Sequence, residues 1–202
     1  MRALLLVLLC TIAVRAETVA ILGDSLTAGY GLEESQAYPA LVQQALRASH
    51  PQWTVINAGV SGDTSTGALR RITWVLKAKP ELVLIAIGAN DGLRGQSLDQ
   101  LEANLRAIIA KVAAAGSTPL LAGMRLPTNL GTDYREHFTA IYARVAAETK
   151  TPLLPFLLEG VAMDPALNQA DGIHPNAVGQ ERVAATVLAF VTPYLVPAAR
   201  TP

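Results

Sequence analysis

The chain has 202 residues, of which 51% are hydrophobic and 16% are charged, and its 16 lysines and arginines balance its 16 aspartates and glutamates. This length and apolar content fit one globular domain with a well-buried core. A formal net charge of zero offers no electrostatic attraction for nucleic acid or an anionic membrane surface, so neither is an expected partner.

Residues 1–16 are predicted to be a cleaved signal peptide. Arg2 gives a positive start, residues 3–14 are an apolar run too short to span a bilayer comfortably, and small residues close the run where signal peptidase reads. We expect a mature chain that begins at Glu17, is periplasmic or secreted, and has no membrane span. An uncleaved anchor or a buried helix is the alternative. Because the only cysteine is Cys10, the mature domain would hold no disulfide and no thiolate metal site.

Beyond residue 16, short apolar runs alternate with longer helical patterns, which predicts an α/β protein with a parallel sheet covered on both faces. The predicted strands are residues 18–22, 54–57, 82–87, 119–123 and 153–156. The predicted helices are residues 39–48, 66–77, 98–115, 134–149 and 176–195. Two helix starts have capping-box spacing, Ser97 with Gln100 and Asp133 with Glu136. One domain is expected over 17–195, followed by a fraying tail at 196–202.

The polar residues that follow the first predicted strand and precede the last helix point to acyl transfer. Ser25 lies in Gly-Asp-Ser directly after that strand, and His174 lies three residues after Asp171 in a turn with glycine and proline. A serine hydroxyl is a weak nucleophile unless a base takes its proton, and a third group must orient that base. The chain therefore holds the three side chains of a catalytic triad, which geometry rather than sequence order defines.

Glycine and amide groups follow the second and third predicted strands. Gly62 lies in Gly-Val-Ser-Gly, where backbone without a side chain can approach a substrate closely, and Asn90 lies in Gly-Ala-Asn-Asp. Ligands bind outside the carboxyl ends of parallel strands, so Ser25, Gly62 and Asn90 are expected to meet in one crevice. Their N–H groups can donate to the oxyanion of a tetrahedral intermediate.

Each of these motifs alone has an ordinary structural interpretation as a helix cap, an Asx turn or a tight turn. Asp24 and Asp63 are predicted to bond loop amides, and Asp91 to cap or support its turn. The joint occurrence of four motifs at matching ends of the predicted sheet favours catalysis over coincidence.

Metal and nucleotide chemistry find little support in the sequence. Only His50, His137 and His174 occur, whereas catalytic zinc usually takes two or three nitrogen ligands, so no metal and no other cofactor is expected. A carboxylate-rich magnesium site is left open. Neither a dinucleotide fingerprint nor a P-loop occurs.

The four motifs resemble the four blocks of the SGNH, or GDSL, hydrolase family, with the closest likeness to its bacterial periplasmic thioesterase, lysophospholipase and arylesterase branch. The resemblance covers essentially the whole mature chain. It implies a three-layer α/β/α flavodoxin-like fold with a five-stranded parallel sheet, and hydrolysis of carboxylic esters and thioesters. It also implies Ser25 as nucleophile, His174 as base and Asp171 as its partner, with Ser25, Gly62 and Asn90 as oxyanion donors.

The same resemblance implies substrate contacts. In the family, the segment after the asparagine is a mobile loop that closes on acyl chains, which corresponds here to Leu93 and Arg94 with their flanking glycines. Arg125, Leu126 and Pro127 correspond to a second stretch that contacts the acyl chain.

Two interpretations of the leucines in the predicted substrate region stay open. Leu130, together with Leu93 and Leu126, either forms an apolar wall for an acyl chain or packs against the domain.

The expected partner is a small acyl ester or thioester, and a monomer is expected. The alternative function is a flavodoxin-like module that binds a small ligand without chemistry, since fold alone does not decide function.

Overall fold

The computed structural model describes residues 16–196 and contains one sheet of five strands. The predicted signal peptide before Ala16 and the tail after Val196 lie outside the described residues. The strands are β1 (Glu17–Gly23), β2 (Trp53–Gly59), β3 (Leu82–Ala86), β4 (Thr118–Ala122) and β5 (Leu153–Leu154). All neighbours are parallel, in the order β2-β1-β3-β4-β5.

Seven α-helices occur within residues 16–196. They are α1 (Ser25–Ala28), α2 (Tyr38–Ser49), α3 (Ser65–Leu76), α4 (Ala89–Leu93), α5 (Leu98–Ala114), α6 (Thr132–Thr149) and α7 (Ala177–Val191), with 3₁₀ turns at Glu34–Gln36 and Thr192–Tyr194. Helix α2 packs with α7, while α5 packs with both α3 and α6. The two groups form the outer layers of the predicted three-layer α/β/α fold, which is confirmed. No helix within 16–196 combines the length and apolarity needed to cross a membrane.

Apolar burial explains why β3 lies at the centre of the sheet. All five of its residues are buried, as expected for a strand covered on both faces. Side chains from both helical layers, such as Ile72 and Val187, join it in one core. Fully burying a side chain of this size contributes roughly 1.5–3 kcal/mol.

The register of the central strands sets the location of the site. Gly23 pairs with Gly59 of β2 and with Ala86 of β3, so the carboxyl ends of these three strands align. The chain leaves β1 toward β2 on one side and later returns to β3 on the other. This reversal of direction creates a crevice outside the ends of β1 and β3, where α/β proteins bind ligands.

Element ends differ from prediction where a local contact decides them. Ser97 Oγ accepts from the N–H of Gln100 at 3.2 Å, but the Gln100 side chain donates to Asn104 instead of closing the capping box. The box of Asp133 with Glu136 is wrong, because α6 already begins at Thr132. At the chain's other end, α7 stops at Val191 and its predicted last residues form a 3₁₀ turn that contains a proline.

Candidate active site

Ser25 is placed by the tight connection from β1 into α1. The Oδ1 of Asp24 accepts from the N–H of Leu26 at 3.0 Å, so Asp24 caps the helix in which Ser25 is the first residue. Gly59 lets α1 lie directly on the end of β2, because a Cβ there would collide with the backbone nitrogen of Ala28. Ser25 is thereby held at the floor of a cavity at the switch point.

The structure brings Ser25, His174 and Asp171 together. Nε2 of His174 lies 2.9 Å from Oγ of Ser25, and Nδ1 of His174 lies 2.7 Å from Oδ2 of Asp171. Because a carboxylate only accepts hydrogen bonds, Nδ1 carries the proton and Nε2 accepts from the serine hydroxyl. This is the geometry that a serine nucleophile and its base require.

The turn that carries His174 is fixed by Asp171 itself. Its Oδ1 accepts from the N–H groups of Ile173 and His174, both at 3.0 Å. Burial alone would raise the pKa of Asp171, but the hydrogen bonds from the His174 side chain and from these two amides hold the pKa below its usual value. The carboxylate thus forms an Asx turn and orients the imidazole at once.

Tyr30 is a neighbour of the imidazole that the sequence did not indicate. Its ring centroid lies 4.6 Å from that of His174, with the planes inclined at 37°. Gln169 donates to the carbonyl of Tyr30 at 2.7 Å, and its backbone N–H donates to that of His174 at 2.8 Å. The contact depends on packing between distant segments, for which no local pattern exists.

The predicted oxyanion donors line the same cavity. Gly62 has a φ of 78°, in the left-handed region that favours glycine. Neither its N–H nor that of Ser25 has a hydrogen-bond acceptor within residues 16–196. Asn90 uses one hydrogen of Nδ2 for the carbonyl of Asp63 at 2.9 Å, which leaves the other available. Three donors are therefore free at the cavity that holds Ser25 and His174.

Arg94, a predicted substrate contact, is bonded to the wall of the site. One guanidinium nitrogen donates to the carbonyl of Gly62 at 3.0 Å and to Oδ1 of Asn90 at 3.3 Å.

A buried polar network holds Asp91, the residue that follows Asn90. The carboxylate of Asp91 accepts from the Ser65 N–H at 2.8 Å and from the Ser65 hydroxyl at 2.5 Å. Asn104 donates to the same hydroxyl at 2.8 Å. These contacts join α4 to the start of α3 and to α5, so Asp91 supports its turn as predicted.

Arg71, which the sequence did not indicate, links the end of β1, the strand that leads to Ser25, to the end of β2. Its guanidinium donates to the carbonyls of Ala58 at 2.7 Å and Gly23 at 2.8 Å. It also donates to Oδ2 of Asp63 at 2.7 Å, while Oδ1 of that residue accepts from the N–H of Thr64. Asp63 thus bonds a loop amide, as predicted, and links Arg71 to the Gly62 turn.

The cavity has a volume of about 480 Å³, and its exposed lining is mostly apolar. The predicted substrate contacts that line it are Leu93, Arg125, Leu126 and Pro127. Leu130 instead packs against the core. Further apolar lining comes from Met124, Phe156, Leu158, Ala162, Met163 and Ile173. The Arg125 guanidinium lies 4.7 Å from the centre of the Phe156 ring, which adds a cation–π contact to this wall.

Asp24 is a buried acid beside the nucleophile. Only 1% of its surface is exposed, and its Oδ2 has no hydrogen-bond partner among the described residues. Burial raises the pKa of Asp24 to about 6, against the lowering effects of the Leu26 N–H and of His174. Within residues 16–196, no group of three or more histidine, cysteine, aspartate or glutamate side chains is arranged to hold a metal ion.

Comparisons with known proteins agree with this architecture. The model of the GDSL-like lipase/acylhydrolase family matches residues 21–182. The esterase TesA of Pseudomonas aeruginosa is 44% identical over 201 residues, which cover 96% of this chain and 100% of that protein. The thioesterase 1/protease 1/lysophospholipase L1 of Escherichia coli strain K12 is 47% identical over 182 residues, which cover 90% of this chain and 86% of that protein. A crystal structure of TesA matches with a TM-score of 0.86 at 44% identity, covering 89% of this chain and 100% of that chain.

Proposed function

The chain belongs to the GDSL-like lipase/acylhydrolase family, and we propose from this premise that it is a serine esterase that hydrolyses carboxylic esters and thioesters. The resemblance drawn from the four sequence motifs is thereby confirmed. The observation that carries the proposal is the continuous chain of contacts from Asp171 through His174 to Ser25. A module that only binds a ligand has no need for such a chain.

The proposed reaction has two halves with one base. His174 accepts the proton of Ser25 as Oγ attacks the carbonyl carbon, and the N–H groups of Ser25 and Gly62 with Nδ2 of Asn90 hold the oxyanion. His174 then protonates the leaving alcohol or thiol, which leaves an acyl-enzyme. Water next gives a proton to His174 while its oxygen attacks the acyl carbon of the acyl-enzyme. His174 then returns this proton to Oγ of Ser25 as the ester bond breaks, which releases the acid and restores the serine. Asp171 stabilises the imidazolium in both halves.

The lining of the cavity favours an enzyme that recognises its substrate by the acyl chain. This lining includes leucine, methionine, phenylalanine and isoleucine side chains. Contact between these side chains and a hydrocarbon chain removes apolar surface from water, which favours binding. The names of the relatives, an esterase and a thioesterase/lysophospholipase, agree with acyl substrates on different leaving groups. We propose that Leu93, Leu126 and Pro127 contact the chain.

Cellular location and assembly belong to the same proposal. The pattern of residues 1–16 supports cleavage after Ala16 and a periplasmic or secreted enzyme. The enzyme is proposed to act as a monomer and to need no cofactor. N-terminal sequencing of protein recovered from the medium or periplasm tests the cleavage directly. A mature start other than Glu17 contradicts it.

Labelling with a fluorophosphonate tests the function itself. An activated serine is phosphonylated, whereas an ordinary serine is not, so the folded protein is expected to take up one label, located on Ser25 by peptide mass analysis. Ser25→Ala is expected to abolish the label, and Ser49→Ala, an exposed control, to keep it. An unlabelled folded wild-type protein, or an equal label on Ser25→Ala, overturns the proposal.

A further inference from the structure

Arg94 connects two loops that come from different strands. Gly62 lies in the turn after β2, and Asn90 lies at the start of α4 after β3, on opposite sides of β1. One nitrogen of the Arg94 guanidinium donates to both residues. The side chain therefore spans the gap between the two halves of the oxyanion site.

The contact with Asn90 fixes which end of its amide faces the cavity. A guanidinium only donates, so Oδ1 must face Arg94, and Nδ2 then faces the carbonyl of Asp63. A flipped amide would set two donors against each other at Arg94 and two acceptors against each other at Asp63. The orientation that leaves one Nδ2 hydrogen for substrate is thus secured at both ends.

The contact with Gly62 holds the backbone that presents the second donor. The carbonyls of Gly62 and Asp63 are consecutive, and they are held by Arg94 and Asn90 respectively. A Cβ on Gly62 would lie 3.3 Å from the same guanidinium nitrogen, so the Arg94 side chain packs closely over this turn. The Gly62 N–H belongs to the peptide between Ser61 and Gly62, which lies inside the turn closed by the N–H of Asp63 donating to the carbonyl of Val60 at 3.0 Å. Arg94 holds the peptide that follows, so the Gly62 backbone is restrained on both sides of its α-carbon.

We propose that Arg94 is a positioning residue of the oxyanion site, which sets the distance and direction between the Gly62 N–H and the Asn90 amide. The inference rests on the proposed esterase function. It differs from the substrate contact expected from the sequence, because Arg94 would act through Gly62 and Asn90 and not on the substrate itself. Preorganised donors act only if they are already aimed at the developing charge, so loosening this connection is expected to affect the transition state more than substrate binding.

The test uses Arg94→Ala, Arg94→Lys and the control Arg47→Ala on p-nitrophenyl butyrate, a neutral ester. Arg94→Ala is expected to lower kcat by about 10- to 100-fold, the scale for a slightly misplaced catalytic group, with KM within about threefold. Arg94→Lys, which keeps a donor but loses the planar guanidinium, is expected to fall between wild type and alanine. Added guanidinium chloride at non-denaturing concentration is expected to restore part of the alanine variant's kcat and to leave Arg47→Ala unchanged.

The outcomes separate the two proposals. A wild-type enzyme that hydrolyses no ester contradicts the proposed function itself. An active wild type with Arg94→Ala and Arg94→Lys within twofold in kcat overturns the positioning role. So does a rise in KM that is confined to an anionic substrate such as acyl-CoA, since Arg94 would then bind substrate. Loss of thermal stability without a fall in kcat also overturns it, because that result marks a purely structural contact.

Discussion

The Oγ of Ser25 lies 2.9 Å from Nε2 of His174, although the two residues are 149 positions apart in the chain. Gln180 in α7 is one of the side chains that join these distant segments. It is buried, its Oε1 accepts from the N–H of Tyr38 at 2.8 Å, and its Nε2 donates to the carbonyl of Leu26 at 3.3 Å. Helix α7, which follows the turn that carries His174, is therefore anchored to α1, which carries Ser25, and to the first residue of α2.

Replacement of Asp171 by asparagine is expected to lower kcat by roughly 10²- to 10⁴-fold, by analogy with other triads. An asparagine that keeps its oxygen toward the amides of Ile173 and His174 presents NH₂ to Nδ1, which moves the ring proton to Nε2. The imidazole then has no lone pair for the hydroxyl of Ser25. The measurement is kcat for p-nitrophenyl butyrate, with circular dichroism to confirm the fold. Activity within tenfold of wild type would mean that Asp171 only shapes the turn.

Truncation of Asn90 to alanine is expected to lower kcat by about 10²- to 10³-fold, the scale for one oxyanion donor. KM should change little, because the donor acts on charge that develops in the transition state. Steady-state kinetics on the same ester provide the measurement, with Asn129→Ala, an exposed position outside the cavity lining, as the matched control. If KM rises while kcat is retained, Asn90 binds the ground state and the assignment fails.

The sequence was sufficient for those parts of the fold and site that local patterns encode. A continuous apolar run identified β3 as a doubly covered strand, and Gly-Asp-Ser identified the residue at the end of β1. The predicted end of α7 is wrong because a 3₁₀ turn that contains a proline replaces the last helical residues. The predicted start of α6 is wrong because the helix already begins at Thr132. Helix ends depend on a few hydrogen bonds, whereas strand positions depend on the burial of many side chains.

Residues whose partners are remote in sequence were missed. Arg71 bonds carbonyls at the ends of two strands, and Gln180 bonds segments more than a hundred positions away. Arg94 is predicted from the sequence as a substrate contact, and its hydrogen bonds to Gly62 and Asn90 are not. Each of these side chains recognises backbone carbonyls or amides, which every residue carries. No pattern in the chain marks such an acceptor before the fold assembles it.

Substrate preference is expected to follow acyl chain length. Each methylene that enters the apolar wall contributes about 0.8 kcal/mol, so kcat/KM for p-nitrophenyl esters should rise by up to about fourfold per carbon over short chains and then level off. Leu93→Ala is expected to lower kcat/KM for the octanoate by about 3- to 10-fold and to leave the acetate unchanged. Val178→Ala, another exposed apolar residue, serves as the control. Equal losses on both esters would show that Leu93 shapes the catalytic residues instead of the acyl site.

The raised pKa of Asp24 predicts that the free energy of unfolding falls as the pH rises. Its pKa rises from 3.8 to about 6 on folding, so between these values the folded state binds more protons than the unfolded state. The free energy of unfolding must then fall as the pH rises from about 4 to about 6, and the contribution of this one group is about 3 kcal/mol. Above pH 6 both states are ionised at this position, and its contribution no longer changes.

Asp24→Asn isolates that contribution. The amide oxygen can still accept from the N–H of Leu26, so the cap of α1 is kept, while the buried charge is removed. Urea unfolding of both proteins at several pH values between 4 and 7 gives the measurement. The variant is expected to gain stability relative to wild type as the pH rises, by about 3 kcal/mol across this range, because it avoids the cost of a buried carboxylate. Parallel curves for the two proteins would mean that Asp24 is ionised throughout or is hydrated at Oδ2, and that its burial does not control its charge.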